Sequence, residues 1–398
     1  MFKSKLSSTQ FILFLLIANG LFSCTKKKTE ITPPLYESSY KQAIIDSRNA
    51  LKSYMFTSSL PGLSVAISID GQLVWSEGMG SASKELNVAA NRDTKYRIGS
   101  VSRVFTTFLI AKQQEDGLLN VDSSFYKYIP KFPKKRFDFT PHMLAAEASG
   151  FVQVPKSNLQ KNQEIKTLKD FIVQYDKDTL LFEPGRYYYK SDYDFGLLGI
   201  LAEQVGKNHF SKLMQKTILD TLHLKNTTLD YHQAIIPNRS AFYDRDYIAR
   251  VINAPAVNLA PYGPALGILT TADDLNKLAQ QLLKPGYFSQ KSLDLFYTSY
   301  KLKNGSDVGQ GFGWIIKEDR SGRQFLGAVG TTIGGGASVV VFPKQKLVIS
   351  ICSNLGDEHS ELPSLLVAQK FMKVIDPRKD DSGSKRKGPQ FGNGQSTK

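Results

Sequence analysis

Cysteine is nearly absent: the chain of 398 residues contains two, Cys24 and Cys352. A disulfide framework is therefore excluded as the source of stability. The five histidines, His142, His209, His223, His232 and His359, show no H-x-x-x-H spacing, and no metal site or other cofactor is expected. Long apolar runs are missing too. The longest, Phe11 to Phe22, is too short to span a bilayer comfortably. Lysine and arginine outnumber aspartate and glutamate, 51 to 36, for a net charge of +15. The lysines are scattered, however, and no dense basic stripe is interleaved with aromatics, which argues against nucleic acid as a partner. A solvated basic surface is the simpler reading, with attraction to an anionic surface or polymer as its extension. The chain does have 41% hydrophobic and 22% charged residues, ordinary values that allow a sizeable core in one large domain or two modest ones.

The amino terminus has the layout of a signal peptide over residues 1–23: Lys3 and Lys5, then the apolar run. The "LFSC" that follows resembles the lipobox of bacterial lipoproteins. That resemblance implies that Cys24 is lipidated and becomes the first mature residue, placing the protein in the bacterial cell envelope, facing the periplasm. Residues 24–44, beginning "CTKKKTEITPP", read as anchor and tether. Cys352 is then left without a partner, and within "LVISICSN" it reads as a small buried hydrophobe.

The folded domain is drawn over 45–375, with a helix from about Tyr36 to Tyr54 leading into it. "LSVAISIDGQLVWSEGMG" gives two alternating runs about Asp70-Gly71, a strong hairpin signal. From about 105 to 230 the pattern is mainly helical. Two further hairpins follow, "GFGWIIK"/"RQFLGAV" about Asp319–Gly322 and "ASVVVF"/"LVISIC" about "PKQK", before a closing helix in "ELPSLLVAQKFMKVI". Residues 376–398 are polar and Gly/Ser-rich and read as a disordered tail. The fold class is α+β. The early hairpin is expected to join the late ones in one antiparallel sheet, flanked by the terminal helices and by a helical lobe, with the site in the cleft between sheet and lobe.

Four stretches in order, "KYRIGSVSRVFTTFLIAKQQEDGLLNVD", "FEPGRYYYKSDYDFGLLGILAEQVG", "ALGILTTADDLNKLAQQLL" and "GGGASVVVFPKQKLVISICSN", resemble the serine β-lactamase-like proteins. That group includes class C β-lactamases, low-molecular-mass penicillin-binding proteins and related esterases, and the resemblance spans about residues 45 to 373. It implies a two-lobed β-lactamase/DD-peptidase-like fold and acyl transfer through an active serine, on a β-lactam, a D-Ala peptide or an ester. In such proteins an S-x-x-K opens a helix, whose dipole and first N–H groups favour negative charge at the serine. Ser100 falls at the nucleophile position, and Arg103 stands where the lysine is usual. An arginine stabilises an anion but does not serve as a base. "SASK", Ser81 to Lys84, is a literal S-x-x-K but follows a strand and reads as a chance match.

The second motif of the family, Y-x-N, is reached by counting forward from Pro184-Gly185 and back from Leu197-Leu198-Gly199. Both counts land on Lys190-Ser191-Asp192; a slip of one residue gives Tyr189-Lys190-Ser191. The third, usually K-T-G or H-x-G, falls in "GAVGTTIGGGAS". Two frames fit, Ala328-Val329-Gly330 and Val329-Gly330-Thr331, and neither contains the basic residue that orients a substrate carboxylate in the family. Gly330 and Thr331 are the candidates for strand backbone that closes on substrate and completes an oxyanion hole.

Three functions fit these departures. In the first, a serine hydrolase has exchanged the two basic groups, with Lys190 as base, Arg103 as a fixed cation, and Asp192 paired to one or the other. In the second, a pseudoenzyme binds small acyl or peptidoglycan-derived ligands without turnover, because loss of a proper base costs ~10²–10⁴ in rate. The third is a purely structural envelope lipoprotein. Taken singly, each residue also has a plainer role: Ser100 as an N-cap, Lys190 and Arg103 as solvated surface groups, and Asp192 as the cap of the helix that follows it.

Overall fold

The computed structural model describes residues 32–160, 165–177, 179–356 and 364–378. Cys24, the segment read as a signal peptide, and residues 379–398 lie outside the described residues. Strands of the main sheet are numbered in chain order: β1 Leu35–Tyr36, β2 Gly62–Ile69, β3 Gln72–Ser83, β4 Val88–Ala89, β5 Ile315–Glu318, β6 Gln324–Thr332, β7 Gly335–Phe342 and β8 Leu347–Ser353. Five helices matter below: α1 Lys41–Thr57, α2 Arg103–Glu115, α3 Asp192–Gly206, α4 Ala272–Ala279 and α5 Ser364–Ile375.

Asp70 and Gly71 both take positive φ, 52° and 80°, which a two-residue hairpin turn of the primed type requires. They join β2 to β3 with Ile69 opposite Gln72. The two late hairpins form where their turn residues fall, β5 with β6 and β7 with β8. All three hairpins lie in one eight-stranded antiparallel sheet of order β1-β3-β2-β8-β7-β6-β5, with β4 on β3. The early and late parts of the chain meet at β2 and β8, where Ile67 pairs with Ile349.

The sheet is buried on both faces, so its strands alternate between two cores rather than between core and water. Leu63, Val65, Ile67, Ile349, Ile351 and Phe342 pack with Ile44, Leu51 and Phe371 of α1 and α5. Ala66, Val339, Val341, Val348 and Cys352 face the other core, shared with α2, α3 and α4. Cys352 is fully buried, and burial pushes its thiol up, consistent with a packing role.

Two boundaries need correction. Residues 35–44 are not tether. Leu35 and Tyr36 pair with Ser76 and Trp75 on the outer edge of β3, and the helix begins at Lys41 rather than Tyr36. The free edge of a long strand explains this, since β1 covers part of it and Arg48 stacks over Tyr36 while pairing with Glu77. At the other end Asp376 is not tail. Arg323 and Gln345 hold its carboxylate at 3.1 and 2.7 Å. "SASK" lies at the end of β3 and the turn beyond, away from any helix start.

Before the nucleophile position, Tyr96–Arg97 pairs with Ile268–Thr270 in a small three-stranded sheet. Arg97 is buried, with Nε 2.6 Å from Asp230 and Nη1 and Nη2 donating to the carbonyls of Ile333 and Val257. It thereby ties the approach to Ser100 to the connection between β6 and β7.

Candidate active site

Ser100 lies in a 3₁₀ turn, Gly99–Ser102, that runs directly into α2 at Arg103. Its side chain does not cap the helix: Ser102 holds the N-cap position and accepts the N–H of Ile268. The plainer reading of Ser100 as a cap is therefore set aside. Ser100 is buried, 8% exposed.

The strand beside it is β6. A Cβ built on Gly330 would stand 2.6–2.8 Å from the Cβ, N and Cα of Ser100, so only glycine allows this approach. Gly99 adopts φ 53°, and a Cβ there would meet the carbonyl carbon of Thr331 at 2.4 Å. Turn and strand thus touch backbone to backbone, and Gly330 is the residue directly against the serine. Thr331, next along, is half-buried.

Below Ser100, Arg103 is buried at the start of a helix whose residues 103–111 are all buried. Its Nη1 donates to Glu147, its Nη2 donates to Asp192 at 2.5 Å, and its guanidinium covers the Phe195 ring at 4.6 Å. Burial works against its charge, but the two carboxylates outweigh this and hold the guanidinium further up than usual. Of the two partners left open for Asp192, the structure shows Arg103, whose charge is matched by two carboxylates.

Asp192 opens α3 and is not its cap, a role taken by Ser191. Its second oxygen accepts Gln153 Nε2 at 2.6 Å, and its backbone N–H donates to Gln153 Oε1. The frame that counts Lys190-Ser191-Asp192 therefore ends on the residue that reaches Arg103. Lys190 itself is exposed, and among the described residues its side chain makes no hydrogen bond or ion pair. Lys190 is expected within hydrogen-bond or one-water reach of the Ser100 hydroxyl, and among the described residues no hydrogen bond joins the two. Asp192 is turned to Arg103 instead. Tyr189 packs edge-on against Phe182 at 6.5 Å.

Sequence reasoning missed Glu147. It is buried at φ 54° and gathers Arg103, the Tyr188 hydroxyl at 3.1 Å and the Ser191 N–H at 3.2 Å. Its carboxylate, with burial, pushes the Tyr188 phenol up, so that hydroxyl is a donor here. A signal was present: a lone acid inside "LAAEASG" has no local partner and must find a distant cation if it is buried. Asp194 completes the group. It accepts a hydrogen bond from Ser149 Oγ at 2.5 Å, and burial pushes its carboxyl well above the usual carboxylate range. Among the described residues no cluster of metal-binding side chains occurs.

A family model described as Beta-lactamase matches residues 47–369. The serine beta-lactamase-like protein LACTB, mitochondrial, of Bos taurus is 24% identical, over 85% of this chain and 81% of that protein. Among solved structures, a class C beta-lactamase superposes with a TM-score of 0.70 at 19% identity, over 86% of this chain and all of that one (100%). EstCE1, a hydrolase with promiscuous acyltransferase activity, gives 0.71 at 18% identity, over 85% and 99%.

Proposed function

The chain belongs to the Beta-lactamase family, and from that premise we propose that it is a serine acyl hydrolase acting on amides or esters, with Ser100 as nucleophile and Lys190 as base. The observation that carries this reading is the backbone contact between Gly330 and Ser100, which leaves the serine between a strand and a helix start. Ser100 Oγ attacks the substrate carbonyl while its proton passes to Lys190 Nζ. The backbone N–H groups of Ser100 and Thr331 hold the oxyanion. Collapse returns the proton to the leaving amine or alcohol and leaves an acyl-enzyme, which water resolves by the same path. Arg103 keeps its proton and does not serve as a base, and the ungapped count puts Lys190 at the second-motif position.

In the wild type a fluorophosphonate is expected to modify Ser100, read by mass spectrometry of the peptide, and Lys190→Ala to cut the labelling rate by about 10² or more. Unchanged labelling in that variant would remove Lys190 from the mechanism.

A second reading, ligand binding without turnover, is favoured by one observation: Lys190 is exposed and not bonded to Ser100. Arg103→Lys separates the two. Activity above the wild type points to a site that has lost its S-x-x-K base, whereas loss of activity supports Lys190 and Arg103 as an exchanged pair.

The proposal extends to location: a protein tethered by lipid on Cys24 at the envelope and facing the periplasm, supported by Lys3, Lys5, the apolar run and "LFSC". Cys24→Ala is expected to move the protein from the membrane to the soluble fraction. Retention of the variant, with no lipid on the wild-type peptide, would overturn this.

A further inference from the structure

We infer that the site selects acyl donors whose acyl group carries no carboxylate, and that neutral esters or amides are its substrate class. The inference rests on the acyl-transfer reading above. It comes from the charges arranged around Ser100.

The face of β6 that meets the serine carries no cation. Gly330 touches Ser100, and by strand alternation Ala328 shares its face. The paired residues on either side are uncharged as well: Val339, Ser338 and Ala337 on β7, and Ile315 opposite Gly327 on β5. Under the serine the balance is negative. One guanidinium, Arg103, is met by two carboxylates, Glu147 and Asp192. In the acyl-transfer reading Lys190 takes up the Ser100 proton during attack, so before that step it supplies no fixed counter-charge to a bound carboxylate.

Two of the cations beside the second motif are engaged. Lys303 pairs with Glu183, and Arg186 stacks on the Tyr187 ring at 5.5 Å. The segment before Lys190 instead offers aromatic surface, with Tyr187, Tyr188 and Tyr189 exposed by 52, 43 and 42%. Such rings suit uncharged acyl or alkoxy groups. A substrate carboxylate placed here loses its water and meets a like charge with no counterion.

The test compares two substrates of nearly equal size on the full chain: the para-nitrophenyl half-ester of terephthalate and its methyl-capped diester. The para carboxylate cannot reach its own ester. The neutral diester is expected to have the higher kcat/KM by about tenfold or more at low ionic strength, with the ratio shrinking as salt is added. Ala328→Lys is expected to raise kcat/KM for the half-ester selectively. A half-ester turned over as well as or better than the diester, by a protein whose Ser100 takes up fluorophosphonate, overturns this inference alone. If Ser100 takes up no fluorophosphonate and neither ester is cleaved, the acyl-transfer reading fails, and the inference fails with it.

Discussion

Replacing Gly330 by alanine is expected to silence Ser100. The new methyl carbon would fall 2.6 Å from the serine Cβ and 2.7 Å from its backbone nitrogen. Neither side can give way easily. The strand is held by β7 through Gly330 opposite Ala337, and the turn is already pressed on Thr331 through Gly99. Overpacking of this kind costs about 1–3 kcal/mol, and a displacement of ~1 Å at the reacting atoms costs about 10²-fold in rate. Loss of fluorophosphonate labelling by about 10² or more, with a fall of several degrees in melting temperature, is the expected result. Gly327→Ala is the control. On the same strand its Cβ would meet its nearest neighbour, the Phe325 ring, at 3.3 Å, and labelling should persist. A Gly330→Ala protein that labels like the wild type would show that the strand does not constrain the serine.

Arg103→Ala is expected to be the most destabilising single change in the site. It leaves Glu147 and Asp192, 2% and 6% exposed, facing one another without their shared cation. Stranding a buried charge in this way costs about 3–5 kcal/mol. The sign with pH follows from the same physics. Without the guanidinium the two carboxyls bind protons more tightly in the folded than in the unfolded chain. The variant's deficit, read by denaturant unfolding, should therefore shrink from about pH 8 to about pH 5. Adding Glu147→Gln and Asp192→Asn to Arg103→Met should recover much of the loss. If Arg103→Ala unfolds at the wild-type denaturant midpoint, the ion-pair cluster does not hold the lobe together.

The two results draw on different levels of the sequence. The sheet was legible because period-2 runs and turn residues are local: Asp70-Gly71, Asp319–Gly322 and Pro343–Lys346 each punctuate a hairpin. Ser100 was legible from its place before an apolar helix. The partners of Arg103 were not, because a buried guanidinium is satisfied across the fold, and Glu147 lies 44 positions away. The chain around Glu147 carries no motif, only a charge among small residues. The ends of the domain were misplaced for a related reason. Leu35-Tyr36 and Asp376 have weak local signals and are ordered by what they cover or bind, the edge of β3 and Arg323.

The pairing of Ile67 with Ile349 has a consequence for how the chain reaches its native state. Strand β2 sits in the middle of the sheet, yet one of its two neighbours is the last strand made. Until residues 347–353 are available, its inner edge is an open row of N–H and C=O groups beside β3. Closing so long a loop is entropically costly and slow, so the sheet half of the domain should complete late, after the helical middle has formed local contacts. A polypeptide of this topology stays incompletely folded while its carboxyl terminus is still being delivered. The same edge makes it prone to pairing with another copy of itself during that interval.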